Sequence, residues 1–208
     1  MFVVYRLCFC FSLGFPIKFV RTFNVHSVIM KKIQANHFAA NGDSIVIRTA
    51  QETDAENLIA LKMSYIKDTT TIPLYDFEYT NTFEQEAEWM KKYAYQDNSL
   101  LLLAEHNGVL IGNIDLTGNQ RKKLYHTGMI GMGIRPEWQN KGIGSLLLEN
   151  TLKWAENSPL EIVWLEVYST NPAGIKLYEK CGFKSCGIIE NFFKEEQPAD
   201  KITMVKYL

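Results

Sequence analysis

Cysteine, histidine and proline are scarce in this chain of 208 residues, which contains four, four and six of them. Neither the pair Cys8 and Cys10 nor the pair Cys181 and Cys186 suggests a disulfide framework. The histidines show no paired spacing with cysteine or acidic residues, so no metal site is predicted. A reduced protein in the cytoplasm is the expectation.

Long apolar runs and a strong charge of either sign are also missing. The most apolar early stretch, residues 7 to 15, ends at Pro16 and is too short to span a bilayer. The formal net charge is −1, and it becomes −4 once the first thirty residues, with three basic and no acidic side chains, are left out. We therefore expect no nucleic-acid partner and no membrane partner.

The first 29 residues differ in composition from the rest of the chain. They are rich in Phe, Val and Cys, and a secretory signal has little support because only Arg6 represents its charged region. Met30 followed by two lysines is a more natural start, so residues 1–29 are predicted to be a translated upstream region or an extension. We predict that residues 1–41 lie outside the fold and that residues 42–208 form one domain.

Apolar periodicity along this domain predicts an α+β fold. Alternation and turn residues predict strands over 44–49, 100–105, 109–116, 125–134, 162–168, 184–193 and 202–208, with Asn107-Gly108 as a hairpin turn. Helices are predicted from a capping box at 53–56 to residue 66, from a second box at 82–85 to residue 95, over 142–157, and from Asn171 to Gly182. These elements predict a mixed, mostly antiparallel sheet flanked by helices, with one parallel strand pair.

A glycine-bearing loop, Gln139-Asn140-Lys141-Gly142-Ile143-Gly144, follows one predicted strand and begins a predicted helix. Its glycines allow a tight turn, and the free amides at the helix start can face a pyrophosphate. The phosphate loop of nucleotide hydrolases does not fit, because Lys141 precedes Gly142 instead of following it. The dinucleotide fingerprint fails as well, since Leu147 replaces its third glycine.

A second group of motifs follows about thirty residues later. It comprises Leu165-Glu166-Val167-Tyr168, Asn171-Pro172-Ala173 and Leu177-Tyr178-Glu179-Lys180-Cys181-Gly182-Phe183. Together with the glycine loop, these residues resemble the GNAT superfamily of N-acetyltransferases, closely over 128–187 and more loosely over 44–208. The resemblance implies a GNAT fold whose parallel strands splay apart to admit the pantetheine arm of acetyl-CoA. It also implies acetyl transfer from acetyl-CoA to a primary amine by direct attack, with Cys181 not acting as a nucleophile.

The expected acetyl-CoA site extends from the end of one strand into the glycine loop. Gly131 and Gly133 are unfavourable inside a strand, which suggests a close ligand or a bulge there. The predicted binding residues are Met132, Gly133, Ile134, Gln139, Asn140, Lys141, Gly142, Ile143, Gly144, Ser145, Asn171 and Lys180. The cofactor phosphates are expected to meet Lys141, Lys176 or Lys180, although surface lysines are usually only solvated.

Two residues are predicted to be catalytic. Tyr178 lies seven residues after Asn171, so both project from one side of a helix, and the resemblance implies that this tyrosine protonates the coenzyme A thiolate. Glu166 is a carboxylate in an otherwise apolar strand, and it matches the base of ribosomal-protein alanine N-acetyltransferases, which acts through water. His126 or a chain of ordered water is the alternative base. Each residue also has a purely structural interpretation: Asn171 as a helix cap, Tyr178 as a core aromatic and Glu166 as a solvated acid.

The acceptor is left open between small amines and protein N-termini or lysines. In relatives the segments that correspond to 68–79 and 190–198 flank the thioester, and Tyr75, Asp76, Phe77 and Glu78 would suit a cationic amine. A homodimer is a further expectation from the resemblance. The alternative function is a non-catalytic acyl-CoA sensor, which would not need a proton donor at Tyr178.

Overall fold

A computed structural model of the protein describes residues 32–67 and 69–208. These residues contain strands β1 (Gln34–Phe38), β2 (Ser44–Thr49), β3 (Leu100–His106), β4 (Val109–Gly118), β5 (Thr127–Ile134), β6 (Ile162–Tyr168), β7 (Lys184–Phe193) and β8 (Ala199–Tyr207). The α-helices are α1 (Ala55–Ile66), α2 (Phe83–Tyr95), α3 (Ile143–Ala155) and α4 (Pro172–Lys180). Each predicted helix and strand is present, with ends shifted by up to three residues.

All eight strands belong to one sheet in the order β1-β2-β3-β4-β5-β6-β8-β7. Every neighbouring pair is antiparallel except β5 and β6, between which the chain crosses over through α3. The predicted α+β class, with a mostly antiparallel sheet and one parallel pair, is therefore confirmed.

The two faces of the sheet carry separate cores. On one face, α3 packs Leu147, Leu148 and Leu152 against apolar residues of β2 to β6 and β8. On the other face, α1 and α2 pack against Leu101 and Leu103 of β3. The sheet therefore separates two layers, and α4 joins the α3 layer through Tyr178.

Strand β1 lies before the boundary that the sequence predicts at residue 42. Its residues pair with β2 from Gln34↔Arg48 to Phe38↔Ser44, so the fold includes at least residues 34–38 and the predicted boundary is wrong there. Exposed and half-buried side chains alternate along this edge strand, and its polar composition gives little apolar pattern to detect. The predictions for residues 1–29 lie outside the described residues.

The local turn signals were predicted with mixed success. Asn107 and Gly108 both have positive φ, as the two-residue hairpin requires, and the capping box of Thr82 and Gln85 is present. The box predicted over 53–56 is wrong. A short 3₁₀ turn, Glu52–Asp54, precedes α1 because the Asp54 carboxylate accepts from the Gln51 amide and from Arg48, all at 2.8 Å.

Candidate active site

The parallel strands β5 and β6 pair over only three positions, from Thr127↔Ile162 to Met129↔Trp164. Strand β5 continues to Ile134 and β6 continues to Tyr168, but the described ladder contains no pairing between these later parts. The two strands therefore enclose a gap, as the predicted splayed pair requires.

The backbone of β5 presents polar groups to this gap. The Arg135 amide donates to Ile111 O at 2.9 Å, and the Asn119 amide donates to Thr127 O at 3.0 Å. Because hydrogen-bonding direction alternates along an antiparallel strand, the odd-numbered residues of β5 bond to β4. The N–H and C=O groups of Ile130, Met132 and Ile134 consequently face β6, and Ile134 O already accepts from Gln139 Nε2 at 3.2 Å.

The glycines of β5 are explained by neighbouring side chains. A Cβ on Gly133 would collide with the ring of Tyr65, and a Cβ on Gly131 would lie 2.9 Å from Asp115 Oδ1. The β4–β5 register is regular throughout, so the predicted alternative of a bulge is wrong. Close approach is correct as the physical reason, but the approaching groups are protein side chains.

The loop that precedes α3 has the geometry of an anion cradle. Asn140 and Gly142 have φ of 60° and 86°, and the first hydrogen bond within the helix runs from the Leu146 amide to Gly142 O at 3.1 Å. The amides of Ile143 to Ser145 precede that bond, so they need partners outside the helix. Lys141 holds the loop, since its carbonyl accepts from the Ala40 amide at 3.0 Å and its ammonium lies 4.7 Å from the Trp138 ring centroid.

Helix α4 brings Tyr178 to the same layer as this loop. Leu177 packs beside Gly144, where an added Cβ would lie 2.9 Å from its side chain. Tyr178 is buried, and its ring contacts Phe183 edge-on with centroids 6.0 Å apart. Burial raises the pKa of Tyr178 to about 12, so the phenol stays protonated at neutral pH. Asn171 caps the helix by accepting from the Gly174 amide at 2.9 Å.

Lys180 is not brought together with the rest of the predicted donor site. It lines a shallow depression with Glu149, Lys153 and Lys206, beside the second half of α3 and not its N-terminus. Lys176 is exposed on α4. Lys141 is thus the predicted phosphate lysine that the structure places on the loop itself.

Glu166 lies on β6 within its splayed part, two residues beyond the last β5 pairing. Its side chain is on the sheet face opposite α3, because the neighbouring Leu165 and Val167 belong to the α3 core. Glu166 accepts from Lys201 Nζ at 2.8 Å, and that ammonium also lies 4.1 Å from the Phe192 ring centroid. The carboxylate is therefore one member of an ion pair with β8, on a strand that borders the gap.

His126 stands at the paired end of β5, where its carbonyl accepts from the amides of Glu161 and Ile162. A strand rises about 3.3 Å per residue, so the next residue, Thr127, is roughly 13 Å from Gly131 at the gap. This location makes His126 a poor alternative to Glu166 as a direct base.

The two segments predicted to flank the acceptor approach each other. Tyr75 stacks on Phe77 and lies near Tyr168, which donates to Glu195 at 3.2 Å and stacks on Phe193. Burial, followed by Glu195, raises the pKa of Tyr168. Within the first loop, Asp76 and Glu78 accept from the amides of Phe77 and Tyr75, so both acids have a local structural role.

A polar cluster that the sequence analysis missed lies between the sheet and helices α1 and α2. Its members are Lys62, Tyr65, Tyr79, Glu86, Trp89, Lys92, Tyr93, Asn113, Asp115 and Thr117. Asn113, Asp115 and Thr117 alternate with apolar residues in β4. This period-two pattern in a buried strand was the available signal for a polar face.

Two further observations concern the described residues as a whole. No helix among them is long and apolar enough to cross a membrane. They also contain no group of three or more His, Cys, Asp or Glu side chains arranged to hold a metal ion.

Comparison with known proteins agrees with this geometry. The family model described as the Acetyltransferase (GNAT) family matches residues 69–183. The [ribosomal protein bS18]-alanine N-acetyltransferase of Salmonella typhimurium strain LT2 is 29% identical over 93 residues, which are 41% of this chain and 63% of that protein. The probable N-acetyltransferase san of Drosophila melanogaster is 31% identical over 114 residues, which are 52% of this chain and 60% of that protein. The chain thus spans less than two thirds of these curated relatives.

Solved structures match over a larger share of the chain. The acetyltransferase of GNAT family from Streptococcus pneumoniae has a TM-score of 0.76 and 33% identity, covering 79% of this chain and 99% of that one. The structure of yncA, a putative acetyltransferase from Salmonella typhimurium with its cofactor acetyl-CoA, has a TM-score of 0.71 at 20% identity, covering 79% and 94%, and shows the shared fold. With its splayed strands, its glycine loop and these matches, the chain belongs to the GNAT family of acetyltransferases.

Proposed function

We propose that the protein is an N-acetyltransferase that transfers the acetyl group of acetyl-CoA to a primary amine. The observation that carries the proposal is the gap between β5 and β6, which the backbone groups of Met132 and Ile134 face and which continues into the loop before α3. Acetyl-CoA suits this arrangement because it combines a pyrophosphate, a thin amide-bearing arm and a thioester.

The donor is proposed to bind along the gap and the loop. The amides of Ile143, Gly144 and Ser145 would receive the pyrophosphate, and Gln139, Asn140, Lys141 and Gly142 shape that cradle. The pantetheine arm would pair with Met132 and Ile134 beside Gly133, and Asn171 would contact it from the start of α4. Lys180 is left out of this proposal because of its position beside the second half of α3.

Acetyl transfer requires one bond to form and one to break. The neutral amine attacks the thioester carbon, the C–N bond forms, and the C–S bond breaks to release the coenzyme A thiolate. Tyr178 is the proposed general acid for that thiolate, because burial raises the pKa of its phenol to about 12 and so keeps it protonated at neutral pH. An ammonium acceptor loses one proton before the attack and a second after the C–N bond forms. Glu166, or water held by it, takes each proton in turn and passes it to solvent, and solvent returns a proton to Tyr178.

The proposed acceptor is a primary amine that arrives as a cation. Its entrance would be formed by the loop around Tyr75 and Phe77 and by the segment that carries Phe192 and Glu195. Names of relatives include alanine N-acetyltransferases of a ribosomal protein and an L-amino acid N-acetyltransferase, so an N-terminal amine and a small amine are both worth testing.

Cytoplasmic location and homodimer formation remain predictions. The free thiols of Cys181 and Cys186 fit a reducing compartment, and cell fractionation would test this. Edge strand β7 exposes Ile188 and Ile189, which a second copy would cover. Light scattering on the purified protein measures whether it does.

The direct test measures acetyl-CoA-dependent release of free coenzyme A with alanine-initiated peptides, polyamines, amino acids and aminoglycosides. Release with any one class, together with mass addition of one acetyl group to that amine, supports the proposal. Tight acetyl-CoA binding without release from any class would favour the alternative of a non-catalytic sensor.

A further inference from the structure

Two carboxylates lie beneath α1 and α2, and their surroundings differ. Glu86 is fully enclosed and saturated, because it accepts from Lys62 at 2.6 Å, from Tyr79 at 2.8 Å and from Asn81 at 2.9 Å. A buried charge that is paired and hydrogen-bonded in this way is an ordinary structural group. Glu86 thus has its charge paired and both oxygens hydrogen-bonded without a ligand.

Asp115 lacks such partners. Its Oδ2 accepts only from the hydroxyls of Tyr93 at 3.4 Å and Thr117 at 3.5 Å, and these two hydroxyls bond each other at 2.8 Å. Within the described part of the chain, Asp115 forms no ion pair. A carboxylate held this loosely retains acceptor capacity for a further donor.

Asp115 combines dense surroundings with access to solvent. Desolvation raises the pKa of its carboxyl, while the nearby charges of Lys62 and Lys92 act in the opposite direction. The residue is nevertheless only half-buried, as are Tyr65, Thr117 and Gly131 around it. We refer to the partly exposed surface that these four residues form as the cleft floor.

This cleft floor adjoins the gap between β5 and β6. Asp115 lies opposite Gly131 in the β4–β5 ladder, and the neighbours of Gly131, Ile130 and Met132, turn their polar backbone groups to the gap. Adjacent strands are about 4.8 Å apart, so one strand separates Asp115 from the gap. Gly131 has no side chain to cover that strand, and an added Cβ would lie 2.9 Å from Asp115 Oδ1.

We propose that Asp115 binds the ammonium group of the acceptor amine, in a cation subsite formed by Asp115, Tyr65, Tyr93, Thr117 and Gly131. This inference rests on the proposed function, since it takes the thioester to lie in the gap. A bound ammonium supplies the ion pair that Asp115 lacks, and its hydrogens are matched by the carboxylate and hydroxyl oxygens. From this subsite the amine needs to move by about one strand spacing to reach the thioester.

The other charged groups of the cleft are compatible with a cationic ligand. From α1, Lys62 faces Asp115, but its ammonium is bound to Glu86 and lies 3.7 Å from the Trp89 ring centroid. From α2, Lys92 lies over the ring of Tyr93, and burial lowers its pKa. Strand β5 contributes no titratable side chain along its length. Asp115 is therefore the carboxylate of this cleft that remains for a cation.

Glu166 borders the gap from the opposite side and keeps its separate proposed role. Its carboxylate is already paired with Lys201, whereas Asp115 forms no ion pair with any of the residues that the structure describes. We therefore assign acceptor binding to Asp115 and proton removal to Glu166. The two assignments differ in the kinetic parameter that each substitution should change.

The first test measures binding and turnover separately for Asp115→Asn. Spermidine and an alanine-initiated peptide serve as probes, titrated calorimetrically into the protein saturated with coenzyme A and then used as acceptors with acetyl-CoA. We expect at least a tenfold weaker Kd and a tenfold higher KM for the probe that wild type uses, with kcat and the Kd of acetyl-CoA changed less than threefold. Glu166→Gln should instead lower kcat.

The pH dependence provides a readout that a structural role would not change. Wild-type affinity for the probe should fall as pH drops through the raised pKa of Asp115, because protonation removes the charge that binds the ammonium. Asp115→Asn should lose this dependence. Equal affinity of the two proteins for the probe at every pH overturns the inference, and so does a wild type that binds neither probe.

A second substitution tests the geometry without touching Asp115. Gly131→Ala places a methyl group against Asp115 Oδ1 and should raise the acceptor KM several-fold. Gly187→Ala on β7 is the matched control, because no other atom lies within 4 Å of its added Cβ. If the probe binds in a way that depends on Asp115 but no coenzyme A is released, the proposed function alone is contradicted. If coenzyme A is released and the release does not depend on Asp115, this inference alone is contradicted.

Discussion

The two faces of the sheet are built on different principles. The α3 face is apolar, and its proposed donor site comes from two short runs of residues, the glycine loop at 139–144 and the start of α4. The α1 and α2 face has a polar cluster drawn from Lys62, Glu86 and Asp115, which are distant in sequence. The difference fits the proposal of a donor bound by a local backbone motif and an acceptor bound by side chains that the fold brings together from distant positions.

The largest effect that separates the two faces is expected from Glu86→Gln. This change leaves Lys62 with a buried, uncompensated charge, so the free energy of unfolding should fall by about 3–5 kcal/mol. Glu88→Gln is the control, because its exposed pair with Lys91 should contribute little to stability. Urea denaturation of both variants measures the contrast, and equal midpoints would show that the polar cluster does not hold the acceptor face together.

Tyr178→Phe changes the donor face and should slow the chemical step without weakening donor binding. Loss of the general acid is expected to lower kcat by about 10²–10³-fold while the Kd of acetyl-CoA is unchanged. Because the pKa of Tyr178 is about 12, wild-type turnover should show no loss of this acid below about pH 11. Stopped-flow turnover and calorimetry measure the two quantities, with the exposed Tyr95→Phe as control. Full turnover in Tyr178→Phe would remove this residue from the mechanism.

Gly142→Ala should weaken the donor cradle by a smaller amount. The backbone at this position has φ of 86°, which costs an alanine about 1–2 kcal/mol. We expect a lower thermal midpoint and weaker acetyl-CoA binding, with the acceptor KM unchanged. Gly187→Ala is again the control. Identical acetyl-CoA affinity in the two variants would show that the loop does not take part in donor binding.

The smallest effect expected is a gain in stability from Asp115→Asn. Burial raises the pKa of Asp115, so the folded state binds its proton more tightly than the unfolded state, and ionisation costs stability as pH rises. The variant should therefore be more stable than wild type at neutral pH, with the advantage vanishing below the ordinary carboxyl pKa of about 3.9. Thermal unfolding across pH measures this. A variant less stable at neutral pH would indicate a structural role for Asp115.

The sequence predicted the fold because its signals are local, and the prediction of the donor site uses signals of the same kind. A glycine loop, a helix cap and the alternation of a strand each depend on neighbouring residues. The positions of Gly142 and Asn171 at the starts of their helices could therefore be predicted from the sequence. Polar edge strand β1 gave no apolar pattern and was missed. Lys180 was predicted to bind the donor, but it lies beside the second half of α3. The sequence does not show which end of α3 the helix that carries Lys180 approaches.

The acceptor face could not be predicted in the same way. Tyr65 meets Asn113, and Asp115 meets Gly131, only because helix packing and strand register bring them together. The glycines of β5 showed that something approaches closely, but not what it is. Their partners are separated from them by tens of residues, and no local periodicity encodes such a contact.

A crystal structure of the protein with acetyl-CoA tests the central claim most directly. The account predicts the pyrophosphate at the amides of Ile143 to Ser145, the pantetheine arm between β5 and β6, and the thioester sulfur near the Tyr178 hydroxyl. It also predicts that the carbonyl carbon opens toward the face that carries Asp115 and Glu166. Acetyl-CoA bound elsewhere, or a thioester that faces the α3 core, would contradict the division of the sheet into a donor face and an acceptor face.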